Sequence, residues 1–240
     1  MSNAIEKYLD EIIITEAQIQ TRVAELGAEI SRDYAGKDLL LLGILKGSVV
    51  FLADLMRHIT IPHEIDLIAI SSYGRGVRES TGVVRLVKDL DEPVLGKHLL
   101  IVEDIIDTGH TLNYLTQLLS AHEPASLKIC TLLNKSSRRV IDIPVDYVGF
   151  DIEDKYVLGY GLDMDEKFRN LPYIGTVKPS AEARMEKGEE RRERREGRGE
   201  KGEERLEIGG EDRVYLHTRL PYSPTPYSPT PLLPTPLWSQ

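Results

Sequence analysis

Two spacings of apolar side chains alternate along the first three quarters of the chain. In ITEAQIQTRVAELGAEISRDYAG, Ile19, Val23, Leu26 and Ile30 recur at the helical period after a Thr start, and the stretch closes near Gly36. DLLLLGIL follows as a continuous apolar run, too short for a free-standing helix and suited to a strand buried on both faces. SVVFLADLMRHI returns to the helical pattern. HEIDLIAISSY, GVVRLVKDL and KHLLIVED read as strands, TLNYLTQLLSAH as a helix, and ASLKICTLLN, DYVGFDI and YVLGYG as further strands. Alternation of solidly apolar strands with helices predicts an α/β domain around a mainly parallel sheet. GVVRLVKDL is bounded by turn residues and more mixed in polarity, which predicts a hairpin with the strand before it.

The pattern stops after Lys178. From Glu182 to Arg213 there are 12 acidic and 10 basic residues in 32 positions, interrupted by glycines and almost without apolar residues. Such a segment cannot offset its ordering entropy by packing, so disorder is expected over a solvated helix. The end, PYSPTPYSPTPLLPTPLWSQ, carries YSPTP twice and then LLPTP, a composition that favours extended polyproline conformations. The division predicted is a folded domain over residues 1–178 and a low-complexity tail over 179–240. The tail reads either as a dispensable extension or as a ligand for a proline-binding partner.

Composition narrows the class. The whole chain has 240 residues and a formal charge of −9; the tail is nearly neutral, so −8 belongs to residues 1–178. That sign argues against broad binding to nucleic acid and requires any bound anion to be captured locally. The single cysteine, Cys130, lies in an apolar run as a small hydrophobe and excludes an internal disulfide framework. No stretch approaches the roughly 20 apolar residues of a spanning helix, and the N-terminus has no signal-like core. A cytoplasmic protein without membrane contact is expected.

The densest chemistry is LLIVEDIIDTGHTLN, residues 99–113. HLLIV reads as the strand, EDIIDTGHT as the loop and TLNYLTQLL as the helix behind it, the place where ligands bind in open α/β sheets. Free N–H groups at Thr108, Gly109, His110 and Thr111, with the positive end of the helix dipole, would form a nest for a phosphate. Such a nest explains Thr-Gly but not Glu103 and Asp104, whose charges would repel a phosphate unless they engage a diol or a Mg2+ ion. A sugar phosphate with free ribose hydroxyls satisfies both. Any one of these residues alone would be explained as a helix cap; the string as a whole asks for more than capping does.

VEDIIDTGHT resembles the phosphoribosyl-pyrophosphate (PRPP) motif of phosphoribosyltransferases, and in detail their hypoxanthine-guanine branch. The resemblance runs over about residues 5–178 with elements in the same order: LKGS at 45–48, SSYG at 71–74, VEDIIDTGHT at 102–111, NKSSRR at 134–139, DIEDKYVLGYGLD at 151–163 and FRNLP at 168–172. It implies a type I phosphoribosyltransferase fold, a mainly parallel sheet flanked by helices with a small hood. The activity implied is Mg2+-dependent transfer of phosphoribosyl from PRPP to a 6-oxopurine, in purine salvage, by a homodimer or homotetramer.

Roles follow residue by residue as implications of that resemblance. Glu103 and Asp104 would contact the ribose hydroxyls and help hold Mg2+, and Asp107 would take the proton of the purine imidazole. Thr108, Gly109, His110 and Thr111 would hold the 5′-phosphate. Lys46 and Gly47, beside a cis peptide at Leu45–Lys46, would bind pyrophosphate with Arg169, whose planar guanidinium suits it. Ser72 and Tyr73, in a lid spanning SSYGRGVREST, would approach pyrophosphate and help exclude water. Lys135 would donate to the exocyclic oxygen, Tyr156 would stack on the ring, the backbone of Val157 would read its edge, and Asp163 would bind a second metal. His110 departs from relatives that carry lysine in the phosphate turn, and the tail has no counterpart. Two rivals remain open: a PRPP-sensing regulator without catalysis, and a related transferase acting on pyrimidines or on xanthine alone.

Overall fold

The computed structural model describes residues 5–72 and 84–183. Among them, β1 (Leu9–Ile14), α1 (Glu16–Asp33), β2 (Leu39–Leu45), α2 (Val49–His58), β3 (His63–Ser72), β4 (Val84–Lys88), β5 (His98–Ile106), α3 (His110–Ser120), β6 (Ser126–Asn134), a 3-10 turn (Ser136–Arg138), β7 (Tyr147–Asp151), β8 (Val157–Leu158) and β9 (Ile174–Val177) follow in order. Most of the expected elements stand where the apolar spacing put them. α1 starts at a capping box, in which the Thr15 side chain accepts from the Gln18 N–H and the Gln18 side chain accepts from the Thr15 N–H.

Six strands form one sheet in the order β4-β3-β2-β5-β6-β7. All neighbours are parallel except β4, which runs antiparallel to β3 as the hairpin reading expected. The apolar runs are explained by two covered faces. Leu39 and Leu41 of β2, with Leu100 and Val102 of β5, pack under the buried stripe of α1 and under Phe51, Leu52 and Leu55 of α2. Leu40, Leu42, Leu99 and Ile101, one residue out of phase, pack on the other face against Leu112, Leu115 and Leu119 of α3. Each fully buried Leu or Ile in these layers contributes roughly 1.5–3 kcal/mol over the exposed state.

A second, three-stranded sheet, β1-β9-β8, sits beside the first, all its pairings antiparallel. It provides the expected hood, but β1 and β9 do not appear in the sequence reading. LDEIII mixes charge with an apolar run, and IGTV is four residues long. β8 is also only two residues of the YVLGYG run, because Gly159 and Gly161 turn the chain with φ of 97° and 99°. Residues 179–183 continue helically, and Ala181 is buried with Ile5, Leu158, Met164 and Val177. The remainder of the tail, residues 184–240, lies outside the described residues, as do residues 73–83, which include the lid segment from Tyr73 to Thr81. Among the described residues, no helix is long and apolar enough to cross a membrane.

Candidate active site

The carboxyl ends of β2, β5 and β6 converge with the hood. β5 runs four residues further than its apolar stretch suggests, through Glu103 and Asp104 to Ile106, so the acidic pair lies on a strand and not in a loop. Alternation along a strand separates neighbours to opposite faces. Asp104 turns toward Gly47: a side-chain carbon added there would run into the Asp104 carboxylate. Its Oδ1 accepts the N–H of Ile105 at 2.9 Å. Glu103 faces elsewhere, with an Oε2 that is sealed from solvent and has no hydrogen-bond partner. Burial, then the Asp104 charge, holds the Glu103 carboxyl well above the usual carboxylate range. Burial also pushes Asp104 up to about 6, against the lowering effect of its backbone hydrogen bonds and of the Arg169 charge.

The turn after β5 is braced from behind. Arg139 Nε donates to the carbonyl of Asp107 at 3.2 Å, and the N–H groups of Val140 and Ile141 donate to the carbonyl of Thr108 at 3.0 and 3.1 Å. In a trans peptide the N–H points opposite to the carbonyl, so the Thr108 and Gly109 donors are aimed away from the brace. Gly109, the N-cap of α3, has φ 90°, and a side-chain carbon there would meet the Ile141 carbonyl oxygen at 2.8 Å. Asn113 N–H closes the first turn onto the Gly109 carbonyl at 2.9 Å. The N–H groups of His110 and Thr111 therefore belong to the first helical turn, where no intrahelical acceptor exists. Arg139 stands last in NKSSRR, and nothing in that local sequence reveals its hold on Asp107.

A cavity of about 340 Å³ opens beside this turn, lined by Asp104, Ile105, Asp107, Lys135, Arg138, Asp154, Tyr156, Val157, Leu162 and Asp163. Five residues expected at the site from sequence, beyond Asp104, thus share one wall system: Asp107, Lys135, Tyr156, Val157 and Asp163. Glu103, Lys46, Gly47, Arg169 and the turn from Thr108 to Thr111 lie outside its lining. Lys135 is 7% exposed and brings its Nζ to 3.8 Å from Asp154 Oδ1. Arg138 Nε stands 3.1 Å from Asp107 Oδ1 and its Nη1 3.4 Å from Asp154 Oδ1. The Asp107 contact joins opposite charges without an aligned hydrogen bond. Arg138 and Asp154 are site residues the sequence reading missed; both sit inside quoted motifs, and only the approach of β6 to the hood reveals their target.

At the cavity's edge the Leu45–Lys46 peptide bond is cis, as the resemblance implies. Lys46 Nζ meets Glu166 Oε2 at 2.9 Å, and Arg169 Nη2 meets the same oxygen at 3.4 Å. Arg169 Nη2 also pairs with Asp163 Oδ1 at 2.7 Å, and its Nη1 donates to the Gly161 carbonyl at 2.7 Å. The Lys46 hydrogen bond, then that of Arg169, holds the Glu166 carboxyl below the usual range. Lys46 and Arg169, 123 positions apart in the chain, are thus brought together, and Glu166 is a third residue missed from sequence. Ser72 is placed by its backbone at the end of β3, opposite Val84; Tyr73 lies outside the described residues.

The donor set was tested against a divalent cation. Among the described residues, no group of three or more His, Cys, Asp or Glu forms a cage of its own. Mg2+ does not ask for one, since it usually takes one or two carboxylates plus substrate oxygens and water. The Asp104 carboxylate beside Gly47 fits that demand, whereas Glu103 does not share that position, its unpartnered Oε2 being sealed from solvent on the other face of β5. Asp163 fits less directly, because Arg169 takes Oδ1 and the Glu166 N–H takes Oδ2 at 2.8 Å.

The model of the phosphoribosyl transferase domain family matches residues 13–166. A hypoxanthine phosphoribosyltransferase of Salmonella typhimurium is 50% identical over 173 residues, covering 71% of this chain and 97% of that protein. A hypoxanthine-guanine phosphoribosyltransferase of Mycobacterium avium is 48% identical over 177 residues, covering 71% and 87%. The crystal structure of a hypoxanthine phosphoribosyltransferase from Staphylococcus aureus superposes with a TM-score of 0.72 at 48% identity, over 75% of this chain and 97% of that one.

Proposed function

This chain belongs to the phosphoribosyltransferase family, and from that premise we propose how its residues divide the work. The chain is a purine salvage phosphoribosyltransferase: it transfers the phosphoribosyl group of PRPP to hypoxanthine, and to guanine, giving the nucleoside monophosphate and pyrophosphate. The observation that carries the assignment of roles is the shared cavity, which gathers Asp107, Lys135, Tyr156 and Val157 around one volume of about 340 Å³.

The ring nitrogen of the base attacks C1′ of PRPP as the bond to pyrophosphate breaks. Positive charge develops on the sugar and negative charge on the departing group. Asp107 stands at the strand-to-helix turn to accept the proton that the imidazole ring loses. Lys135, buried against β6, donates to the exocyclic oxygen of a 6-oxopurine, Tyr156 stacks on the ring and the backbone of Val157 reads its edge. The outward-aimed N–H groups of Thr108, Gly109, His110 and Thr111 hold the 5′-phosphate. Lys46, Gly47 and Arg169 take the pyrophosphate, with Ser72 and Tyr73 of the lid approaching it. Asp104 and, after release from Arg169, Asp163 would hold Mg2+; when bound, that ion offsets the negative charge of the leaving group. We extend the reading to a cytoplasmic homodimer or homotetramer with residues 1–178 as its catalytic domain.

The test is a spectrophotometric assay with PRPP and Mg2+, offering hypoxanthine, guanine, xanthine, adenine and uracil separately beside an Asp107→Ala control. Turnover of the 6-oxopurines that collapses in the control supports the roles given. Binding of PRPP without turnover of any base would return the regulator to first place.

A further inference from the structure

We propose that Glu166 is the built-in counter-anion of the pyrophosphate subsite: its carboxylate holds Lys46 and Arg169 when no ligand is bound, yields to pyrophosphate oxygens when PRPP enters, and returns to hasten pyrophosphate departure. The inference rests on the reading of Lys46 and Arg169 as pyrophosphate ligands.

Three observations carry it. One carboxylate oxygen, Oε2, serves both cations, at 2.9 Å from Lys46 and 3.4 Å from Arg169, so it occupies the point on which the two converge. An anion is what that point accepts, and a pyrophosphate oxygen carries the same chemistry. The second observation is how Glu166 is presented. Met164 and Lys167 exchange both backbone hydrogen bonds at 3.1 Å, with Asp165 at φ 51° and Glu166 at φ 61° between them. Two successive left-handed residues make a tight hairpin turn that non-glycine residues seldom adopt, and here it is fixed by the Glu166 N–H on Asp163 Oδ2 at 2.8 Å. The third is exposure. Lys46 is 63% and Glu166 48% exposed, whereas the Arg169–Asp163 pair is 26% and 31% exposed. Exposed pairs hold weakly, so a ligand with several charged oxygens can displace Glu166 while the Gly161 carbonyl keeps Arg169 oriented.

The test compares the full chain with Glu166→Gln and Lys46→Ala, using inorganic pyrophosphate with Mg2+ in titration calorimetry and as a product inhibitor. Gln preserves the shape and removes the charge. Two weak ion pairs lost, one exposed and one half-buried, correspond to roughly a threefold to tenfold tightening of pyrophosphate binding in Glu166→Gln, with the same factor in product inhibition and a lower KM for PRPP. A merely structural role would move affinity the other way, because a loosened Lys46 binds pyrophosphate less well. Unchanged or weaker binding in Glu166→Gln, with clear weakening in Lys46→Ala, overturns the counter-anion role alone. Unaltered affinity in Lys46→Ala overturns the pyrophosphate assignment beneath it.

Discussion

On the roles proposed above, the phosphate turn and the pyrophosphate edge would both serve anions, yet they are made in opposite ways. Residues 108–111 offer backbone donors, aimed by carbonyls that Arg139, Val140 and Ile141 hold from behind. The edge offers two long side chains, Lys46 and Arg169, and fills the place between them with a carboxylate of its own. The 5′-phosphate stays on the substrate throughout, so rigid donors that need no reorganisation serve it well. Pyrophosphate has to leave. Flexible cations already matched to an internal anion suit a group that must be bound and then released.

The contrast breaks first at Asp107, which stands between the two. Asp107→Ala is expected to lower kcat by about 10²–10⁴ while calorimetry finds both inosine monophosphate and pyrophosphate still bound. Gly109→Val sharpens it next. A β-branched residue at φ 90°, against the Ile141 carbonyl, should weaken inosine monophosphate binding by roughly 100-fold, since the backbone donors shift together, and leave pyrophosphate binding nearly intact. Arg139→Ala removes one bond of the brace and should cost the nucleotide about threefold to tenfold, the scale of one intramolecular hydrogen bond. Equal losses for both ligands would sink the division into a fixed and an adjustable subsite.

The smallest effect concerns the acidic strand end that both share. Burial raises the Asp104 carboxyl to about 6, above its value of about 3.9 in an unfolded chain. The folded state therefore favours the protonated form: the stability this contributes is whole below pH 4 and is lost as pH rises through 6. Asp104→Asn cannot ionise and escapes the loss. In metal-free thermal melts the variant should gain about 1–2 kcal/mol over the parent between pH 4 and pH 7, a discounted share of the two-unit shift. A gap that stays constant with pH would show that Asp104 is not the source.

The six-stranded sheet was legible because most of its strands are buried on two faces or paired in a hairpin, and burial writes itself into local composition. The small sheet was not. β1 carries Asp10 and Glu11 within six residues and β9 offers only Ile-Gly-Thr-Val, so the pairing of the two joins residues 160 or more positions apart. At the site, residues inside one motif could be named from sequence, as Asp107 and the turn after it were. Arg138, Asp154 and Glu166 could not, because each gains its meaning from an opposite charge on a distant segment. The end of β5 misled for a related reason: two carboxylates look like a loop, and only the pairing of Glu103 with Thr131 on β6 shows the strand continuing.

The brace behind the phosphate turn has one more consequence. Arg139 grips the carbonyl of Asp107 itself, and the next two residues grip that of Thr108, so the proton acceptor and the phosphate donors are carried by one stiff piece of backbone. Such a piece works as a gauge. With the roles proposed for Asp107 and the turn, it would compare the span from phosphate to base nitrogen against a fixed length, and analogues with one atom more or less in that span would be refused on length alone.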